Sequence, residues 1–292
     1  MRLVHLTDPH LSTLDATSLW RLTGKRRLGY LSWSRRRRYI HRRDILDQLV
    51  AEVARELADL IVVTGDLVQL GLLAEITEAG DWLARLNELG KVILVPGNHD
   101  VYQHDAVPRM QAQWARYFHL PETSPNDFPS LQKIGDVAVI GLSSARPEPF
   151  WSAGGELGQA QLDRFERTLI AADNSLRCVL IHHPPLSGQC SRRKALRDTA
   201  QLEQLLRRYD IEVVLHGHIH RNDEVLFNAR TRVLGTASAS NMGPDGRASY
   251  RVLDFSADAS HWLVNARLRT LSRVGENVET VAEDSWRYAR RT

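Results

Sequence analysis

Apolar residues form two alternating patterns along the first hundred positions. Three runs are almost continuously apolar before they end in polar residues: 2–7, 59–66 and 91–100. Such runs are typical of strands that are buried on both faces of a sheet. Segments 42–58 and 72–89 repeat apolar residues at helical spacing, and Gly90 is placed to end the second helix. The order strand, helix, strand, helix, strand predicts parallel strands joined by crossover helices.

The pattern beyond residue 100 is more mixed. It predicts helices over 106–120, 158–172 and 198–210, and a Pro-rich loop over 121–129. It predicts a hairpin at 131–142, strands at 177–181 and 211–215, and four short strand-like runs at 223–228, 231–238, 250–256 and 261–271. No repeat or linker divides the chain. We therefore expect one domain over 1–292, with a basic insert at 16–43 and a C-terminal tail at 272–292.

Composition is that of a soluble globular protein. The chain has 292 residues, of which 43% are hydrophobic and 25% are charged, which is enough for a large core. No apolar run is long enough for a transmembrane helix, and the N-terminus lacks the pattern of a signal peptide. Cys178 and Cys190 show no disulfide pattern. We therefore expect a cytoplasmic protein.

Basic residues are concentrated in one segment. The net charge is +3, but residues 21–43 contain ten lysines and arginines and no acidic residue. The remaining positions carry 28 basic residues against 35 acidic ones. Tryptophan, tyrosine and leucine are interleaved with the arginines, which is a composition found at membrane interfaces. The segment is either a solvated helix-turn or a cap that binds an anionic substrate or an anionic membrane surface.

Residue types that bind metals follow the strand-like runs. They are Asp8 and His10, Asp66, Asn98 and His99, His182, and His218 and His220. A single histidine at the end of a strand is more often a hydrogen-bonded structural residue. Five strand ends with such residues predict one shared site, because open α/β sheets place their sites at the C-terminal ends of strands.

Five motifs, DPH, GDL, GNHD, HHP and GHIH, stand in the order and spacing of the calcineurin-like metallophosphoesterases. The chain resembles this family over residues 2–240. The resemblance implies an α/β fold, namely the calcineurin-like four-layer αββα sandwich of two mixed β-sheets flanked by helices. It also implies a dinuclear metal site at the C-terminal ends of the strands, and therefore a metal-dependent phosphoric ester hydrolase.

The resemblance also implies a role for each residue of the site. One ion would be bound by Asp8, His10, Asp66 and His220, and the other by Asp66, Asn98, His182 and His218, with Asp66 bridging. His99 would be catalytic without binding metal, through stabilisation of the transition state or protonation of the leaving oxygen. Asp100 would brace the loop that carries His99. These ligands suit two divalent ions of Mn, Fe or Zn, and they are too many for one tetrahedral zinc.

The implied reaction is hydrolysis of a phosphoester or phosphoanhydride by a metal-bound hydroxide, in which Asp66 is catalytic as the bridging ligand. The implied substrate is a phosphoester or a nucleotide-containing small molecule, and bacterial cyclic-nucleotide phosphodiesterases have the same Asn-His pair. An alternative is a UDP-2,3-diacylglucosamine pyrophosphatase of lipid A biosynthesis at the inner-membrane surface. The basic insert favours this alternative, although the common enzyme of that kind has Gly-Asn-Arg-Asp where this chain has GNHD.

Two further alternatives are a nuclease and a non-catalytic binding scaffold of the same fold. The complete set of metal ligands argues against the scaffold, and the absence of additional domains argues against the nuclease. The candidate contacts to substrate or membrane are Arg35, Arg36, Arg37, Arg38, Trp33 and His183. Residues 20–43 could hold the protein on the inner membrane, at about 1 kcal/mol for each basic residue near an anionic surface. Nucleic acid is a less favoured partner, and the sequence predicts no oligomeric state.

Overall fold

The computed structural model describes residues 1–11, 14, 17, 19–122, 127–172, 174–243, 247–273 and 275–291. The strands are β1 Arg2–Leu6, β2 Leu60–Val63, β3 Lys91–Leu94, β4 Ser130–Ile134, β5 Val137–Gly141, β6 Leu176–Leu180, β7 Val213–His216, β8 Asp223–Phe227, β9 Thr231–Gly235, β10 Ser249–Ala257, β11 His261–Leu271 and β12 Val278–Ala289. The helices are α1 Gly24–Ser32, α2 Arg38–Ile40, α3 Arg43–Arg55, α4 Leu73–Leu89, α5 Ala106–Phe118, α6 Gln159–Ala171 and α7 Thr199–Arg208.

The first sheet is built around the N-terminal strand, in the order β12-β11-β10-β1-β2-β3. β1 pairs in parallel with β2, and β2 pairs in parallel with β3. Helices α3 and α4 lie between these strands in the chain, as the alternating patterns predict. β10, β11 and β12 add antiparallel strands on the other side of β1.

The second sheet has the order β4-β5-β6-β7-β9-β8. Its four inner strands are parallel, and β4 and β8 are antiparallel edges. The hairpin predicted from the sequence is β4 and β5. Parallel inner strands direct their C-terminal ends to one edge of the sheet, where loops can carry functional residues.

Apolar side chains hold four layers together. The two sheets share a core that contains Leu3 from the first sheet and Cys178 from the second. Helices α3, α4 and α5 cover the outer face of the first sheet through a core that includes Leu49 and Trp114. Phe165 of α6 lies in the core that covers the second sheet. Full burial of such side chains contributes about 1.5–3 kcal/mol each. The four-layer αββα sandwich that the resemblance implies is therefore confirmed.

The C-terminal tail continues the first sheet. β12 pairs with β11 along its length, with a shift of register between Leu268 and Arg269. Three of its twelve residues are buried, among them Trp286 and Tyr288. The exposed residues are mostly charged or polar, which is how an edge strand avoids pairing with other chains. This polar composition is also why the sequence pattern does not predict the strand.

The described part of the basic insert is a helical cap, while positions 16 and 18 lie outside the described residues. A π-helical turn, Trp33–Arg37, connects α1 and α2. The cap packs on a small core of its own in which Leu22 and Trp33 contact Leu70 and Tyr102. Arg26 donates hydrogen bonds to the carbonyl oxygens of Leu70 and Gly71. The insert is thus attached to the loop that follows β2.

Candidate metal centre

The predicted ligands lie in loops at the C-terminal ends of five parallel strands. Asp8 and His10 follow β1, Asp66 follows β2, Asn98 follows β3, His182 follows β6, and His218 and His220 follow β7. The ligating atoms of Asp8, His10 and His220 all lie within 4.8 Å of one another, as do those of Asp8, Asp66 and His182. The fold therefore brings together residues that are up to 212 positions apart in the sequence, from Asp8 to His220.

Five of these residues adopt a left-handed backbone conformation. They are Asp8, His10, Asp66, His218 and His220, with φ between 43° and 71°. This region is uncommon for residues other than glycine, and each such residue costs about 1–3 kcal/mol unless its surroundings compensate. Strain of this kind is concentrated at functional sites. Its recurrence at five ligand positions shows that the loops are shaped to direct these side chains.

One half of the centre is formed by Asp8, His10 and His220. Asp8 Oδ2 accepts hydrogen bonds from the Thr7 hydroxyl at 2.7 Å and from the His218 backbone N–H at 3.0 Å. Its other oxygen, Oδ1, is buried without a hydrogen-bond partner among the described residues and lies 3.2 Å from His220 Nε2. His10 Nδ1 lies 3.2 Å from the carbonyl oxygen of Val68. That contact leaves His10 Nε2 directed at Asp66.

Asp66 stands between the two halves. Its Oδ2 lies 3.4 Å from His182 Nε2 and 4.0 Å from His10 Nε2. Its Oδ1 accepts a hydrogen bond from the backbone N–H of His99 at 2.7 Å, which fixes the orientation of the carboxylate. A carboxylate in this position is suited to bridge two cations.

The other half surrounds His182. The Nδ1 of His182 lies 2.7 Å from the carbonyl oxygen of Thr64, which sets its tautomer, and its Nε2 lies 3.2 Å from both Asn98 Oδ1 and His218 Nδ1. His218 Nε2 is buried and has no hydrogen-bond partner among the described residues. Metal-binding histidines commonly donate their second ring nitrogen to a carbonyl oxygen in this way.

The pKa values of several histidines are shifted in ways that are expected at a metal-binding site. Burial lowers the pKa of His10 and His218 well below the ordinary value, so both rings are neutral and can bind a metal. Burial also lowers the pKa of His182, but the charge and hydrogen bond of Asp66 outweigh it and raise the pKa to about 9. A cation between Asp66 and His182 would replace that proton.

The residues fit a pair of divalent cations. Two buried ligand atoms, Asp8 Oδ1 and His218 Nε2, have no hydrogen-bond partner within the described chain. An unpaired buried polar atom is costly, and a metal ion would remove the cost. Carboxylate, imidazole and amide oxygen donors suit Mn, Fe or Zn. The donors therefore agree with the two-metal site that the resemblance implies.

Asp100 braces the loops that carry the ligands. Its carboxylate accepts hydrogen bonds from the backbone N–H groups of Asp66, Leu67, Val68 and Gly97, at 2.8 to 3.2 Å. Burial and the charge of Asp66 raise the pKa of Asp100 to about 7, and the backbone donors oppose this shift by favouring the carboxylate. Its contacts tie the loop after β2 to the loop after β3.

Glycine is required where these loops meet. A Cβ atom on Gly97 would collide with the side chain and backbone of Asp66, and one on Gly217 would collide with Thr7 and Asp8. Both collisions are with parts of the metal centre that cannot move without displacing a ligand. The glycines of the GNHD and GHIH motifs thus permit the close approach of the loops.

His99 lies beside the ligands with its ring fixed. Its Nδ1 is 2.6 Å from the carbonyl oxygen of Gln69, and its Nε2 is 3.3 Å from Arg37 Nη1. Its ring centroid lies 5.1 Å from that of His10. Burial lowers the pKa of His99 to about 4, and the charge of Arg37 adds to this effect. Arg37, which belongs to the π-helical turn of the insert, therefore reaches the site.

The fold places some of the remaining candidate contact residues in the cleft and others outside it. Arg36 and Arg37 line the cleft above the ligands, whereas Arg35 and Arg38 do not. Trp33 is buried in the core of the cap, so its ring is turned away from substrate and membrane. His183 is completely buried, with Nδ1 2.8 Å from Ser144 Oγ and Nε2 3.2 Å from the carbonyl oxygen of Ala153. Both ring nitrogens are thus occupied by the protein.

The sequence interpretation missed three ionisable residues that line the cleft: His41, Lys194 and Arg221. The ring of His41 lies 4.3 Å from that of His10 and 5.3 Å from that of His220, and its Nδ1 is 3.0 Å from Ser240 Oγ. His41 is the single histidine of the basic insert, which was the available signal. Lys194 and Arg221 have no distinguishing pattern, although Arg221 directly follows His220.

The fold and the site together define a dimetal hydrolase. A model of the calcineurin-like phosphoesterase family matches residues 1–222. The chain therefore belongs to the calcineurin-like phosphoesterase family, and it is a metal-dependent phosphoesterase. Among the described residues, no helix is long and apolar enough to cross a membrane.

Characterised relatives and solved structures are similar to this chain. The 3',5'-cyclic adenosine monophosphate phosphodiesterase CpdA of Escherichia coli (strain K12) is 30% identical, over 69% of this chain and 72% of that protein. The cAMP/cGMP dual specificity phosphodiesterase of Mycobacterium tuberculosis is 25% identical, over 84% of this chain and 72% of that protein. A dimetal phosphatase from Danio rerio has the same fold, with a TM-score of 0.67 at 13% identity over 98% of each chain.

Proposed function

We propose that this protein hydrolyses a phosphodiester or phosphoanhydride bond of a nucleotide-containing substrate with the help of two bound metal ions. The observation that carries the proposal is the position of Asp66 Oδ2 between His182 and His10, with the other ligands grouped on either side. The names of two relatives, both cyclic-nucleotide phosphodiesterases, support a nucleotide substrate. The cleft above the site has a volume of about 420 Å³, which is within the range of small-molecule sites.

Bound divalent ions would act as Lewis acids on the phosphoryl oxygens and lower the pKa of water. Asp8, His10, Asp66 and His220 would hold one ion, and Asp66, Asn98, His182 and His218 would hold the other. His99 would exchange a proton with the leaving oxygen through Nε2, because its Nδ1 is held by Gln69. An anionic phosphoryl group bound next to Arg37 would offset the arginine charge and raise the pKa of His99 toward neutrality.

The first experiment compares the wild-type protein with Asp66→Asn. Wild-type protein loaded with Mn should hydrolyse bis-p-nitrophenyl phosphate and should convert cyclic AMP or a nucleoside diphosphate derivative in phosphorus NMR. Asp66→Asn should lose this activity and bind fewer metal ions per chain, because an amide cannot bridge two cations as a carboxylate does. Asp81→Asn, an exposed residue of α4, is the matched control. Full activity of Asp66→Asn would contradict a two-metal mechanism.

A second candidate function is hydrolysis of UDP-2,3-diacylglucosamine at the inner-membrane surface. The observation that favours it is the outer surface of the basic insert, where Trp20 and Tyr39 are exposed by 83% and 66%. Phe150 and Trp151, which are also exposed, precede Ala153 at the cleft. Exposed aromatic residues among arginines are suited to a lipid interface. Appearance of UMP and a lipid monophosphate from the micellar substrate would support this function, and an unchanged substrate beside cleaved cyclic AMP would exclude it.

A further inference from the structure

The cleft above the metal centre contains an excess of positive charge that the proposed metal site does not use. Arg36, Arg37, Lys194 and Arg221 line it together with the metal ligands, and Asp66 is the one carboxylate among its lining residues within the described chain. These cations come from three separate parts of the fold: the basic insert, the loop between β6 and α7, and the loop after β7. Cations from unrelated segments that meet in one cleft indicate a site for an anion.

The charges of these four side chains are not balanced by salt bridges with other described residues. Within the described part of the chain, none of them forms a salt bridge with aspartate or glutamate, whereas nearby Arg26, Arg197 and Arg146 are each paired. Arg37 is half-buried, and burial lowers the pKa of its guanidinium. Arg36, Lys194 and Arg221 are exposed to solvent, so the cost of an unpaired charge falls on Arg37, and an anionic ligand would stabilise it.

The basic insert is built to direct two of these arginines into the cleft. Arg36 and Arg37 lie in the π-helical turn Trp33–Arg37, and this rare conformation occurs frequently at functional sites. Trp33 of the same turn is fixed in the core of the cap. The contact of 3.3 Å between Arg37 Nη1 and His99 Nε2 places one guanidinium beside the candidate metal ligands.

We propose that Arg36, Arg37, Lys194 and Arg221 form a second anion subsite beside the metal centre, and that the substrate is a linear diester of diphosphate, such as a nucleoside diphosphate conjugate. The metal centre would hold the phosphate that reacts, and the second subsite would hold the adjacent phosphate. This inference rests on the proposed phosphoester hydrolysis and narrows its substrate. A cyclic nucleotide carries one negative charge and would leave the second subsite empty.

The reaction of such a substrate balances with water alone. The oxygen of one water molecule forms a bond to the reacting phosphorus, and the bond from that phosphorus to the bridging oxygen breaks. The electron pair of the broken bond stays with the leaving phosphate, and the two protons of water are released or transferred to the products. Arginine is suited to hold the leaving phosphate because its guanidinium binds two phosphate oxygens at once.

The test compares two substrates in variants of the subsite. Arg36→Gln and Lys194→Gln should lower kcat/KM for UDP-glucose, which has two phosphates, by about tenfold more than for bis-p-nitrophenyl phosphate, which has one. Arg167→Gln, which removes an exposed arginine on α6, is the matched control and should change neither value. An equal fall for both substrates, or no fall, would overturn the second subsite.

A binding measurement separates this inference from the proposed function. In EDTA, calorimetric titration of the wild-type protein should show tighter binding of inorganic pyrophosphate than of inorganic phosphate, and the two substitutions should reduce that preference. Equal binding of both anions, or a preference that the substitutions do not change, would overturn the inference. If the Mn-loaded protein cleaves neither substrate, the proposed function fails, while the titration still decides whether the subsite exists.

Discussion

At the scale of single residues, the side chain of Asp66 connects the two halves of the candidate metal centre. Its two oxygens have different partners: Oδ1 accepts the His99 N–H, and Oδ2 faces His182 and His10. Its backbone has φ of 56°, in the left-handed region. The sequence motif predicts that this aspartate is a ligand, and its left-handed conformation is supported by Asp100, which accepts a hydrogen bond from the backbone N–H of Asp66.

We expect His99→Ala to retain its metal ions and to lose turnover. His99 lies beside the candidate ligands and belongs to none of the three groups of described residues whose ligand atoms lie close together, so metal content should stay at the wild-type level by elemental analysis. Loss of proton transfer should lower kcat by about 10²–10⁴-fold. His104→Ala, in an exposed position, is the control. Loss of metal from His99→Ala would instead identify His99 as a ligand.

We expect Asp100→Asn to destabilise the protein. Four backbone N–H groups donate to the Asp100 carboxylate, two to each oxygen. An amide group leaves two of these buried donors without an acceptor, at a cost of about 1–3 kcal/mol for each. Urea denaturation should therefore show a loss of about 2–6 kcal/mol, against almost none for Asp81→Asn. A loss below about 1 kcal/mol would show that the loops do not depend on this carboxylate.

At the scale of elements, the more of a strand that is buried, the better its sequence pattern predicts it. β1, β2 and β3 are buried along almost their whole length by the second sheet on one face and by helices on the other, although β3 is the last strand of its sheet. A local apolar pattern is therefore enough to identify them. β12 lies at the edge of its sheet and is mostly exposed, so its residues carry little of the pattern that burial imposes. The π-helical turn has no sequence signal at all, because its shape depends on the packing of the cap against Leu70 and Tyr102.

The basic insert gives a prediction at the same scale. Arg35 and Arg38 are exposed and lie outside the cleft. If the cap binds membranes, the double variant Arg35→Ser, Arg38→Ser should bind phosphatidylglycerol vesicles about thirtyfold more weakly, since each basic residue contributes about 1 kcal/mol. The matched control is the double variant Arg85→Ser, Arg167→Ser, at two exposed positions outside the insert. Equal sedimentation of both variants with vesicles would assign the outer face of the cap to solvent.

At the scale of the whole molecule, metal binding should stabilise the fold. The ligands come from both sheets, from residue 8 to residue 220, so the complete site exists in the folded chain alone. Mn at 100 times its dissociation constant should raise the free energy of unfolding by about 2.7 kcal/mol for each of the two bound ions, compared with EDTA. Urea denaturation measures this difference. Asp66→Asn should lose most of it and Asp81→Asn should retain it, whereas a wild-type protein insensitive to metal would contradict the site.

The sequence by itself determined the order of the first buried strands and which candidate metal ligands follow them. Both features can be predicted from short stretches of sequence, because a metal ligand must be one of a few residue types and a buried strand must consist mainly of apolar residues. Tertiary structure alone decided that Arg36 and Arg37 face the cleft while Arg35 and Arg38 face outward, and that Lys194 and Arg221 join them. The sequence around an arginine does not show whether its side chain lines the cleft or lies outside it. Only the packing of the cap and the meeting of distant loops distinguish an arginine that lines the cleft from one that lies outside it.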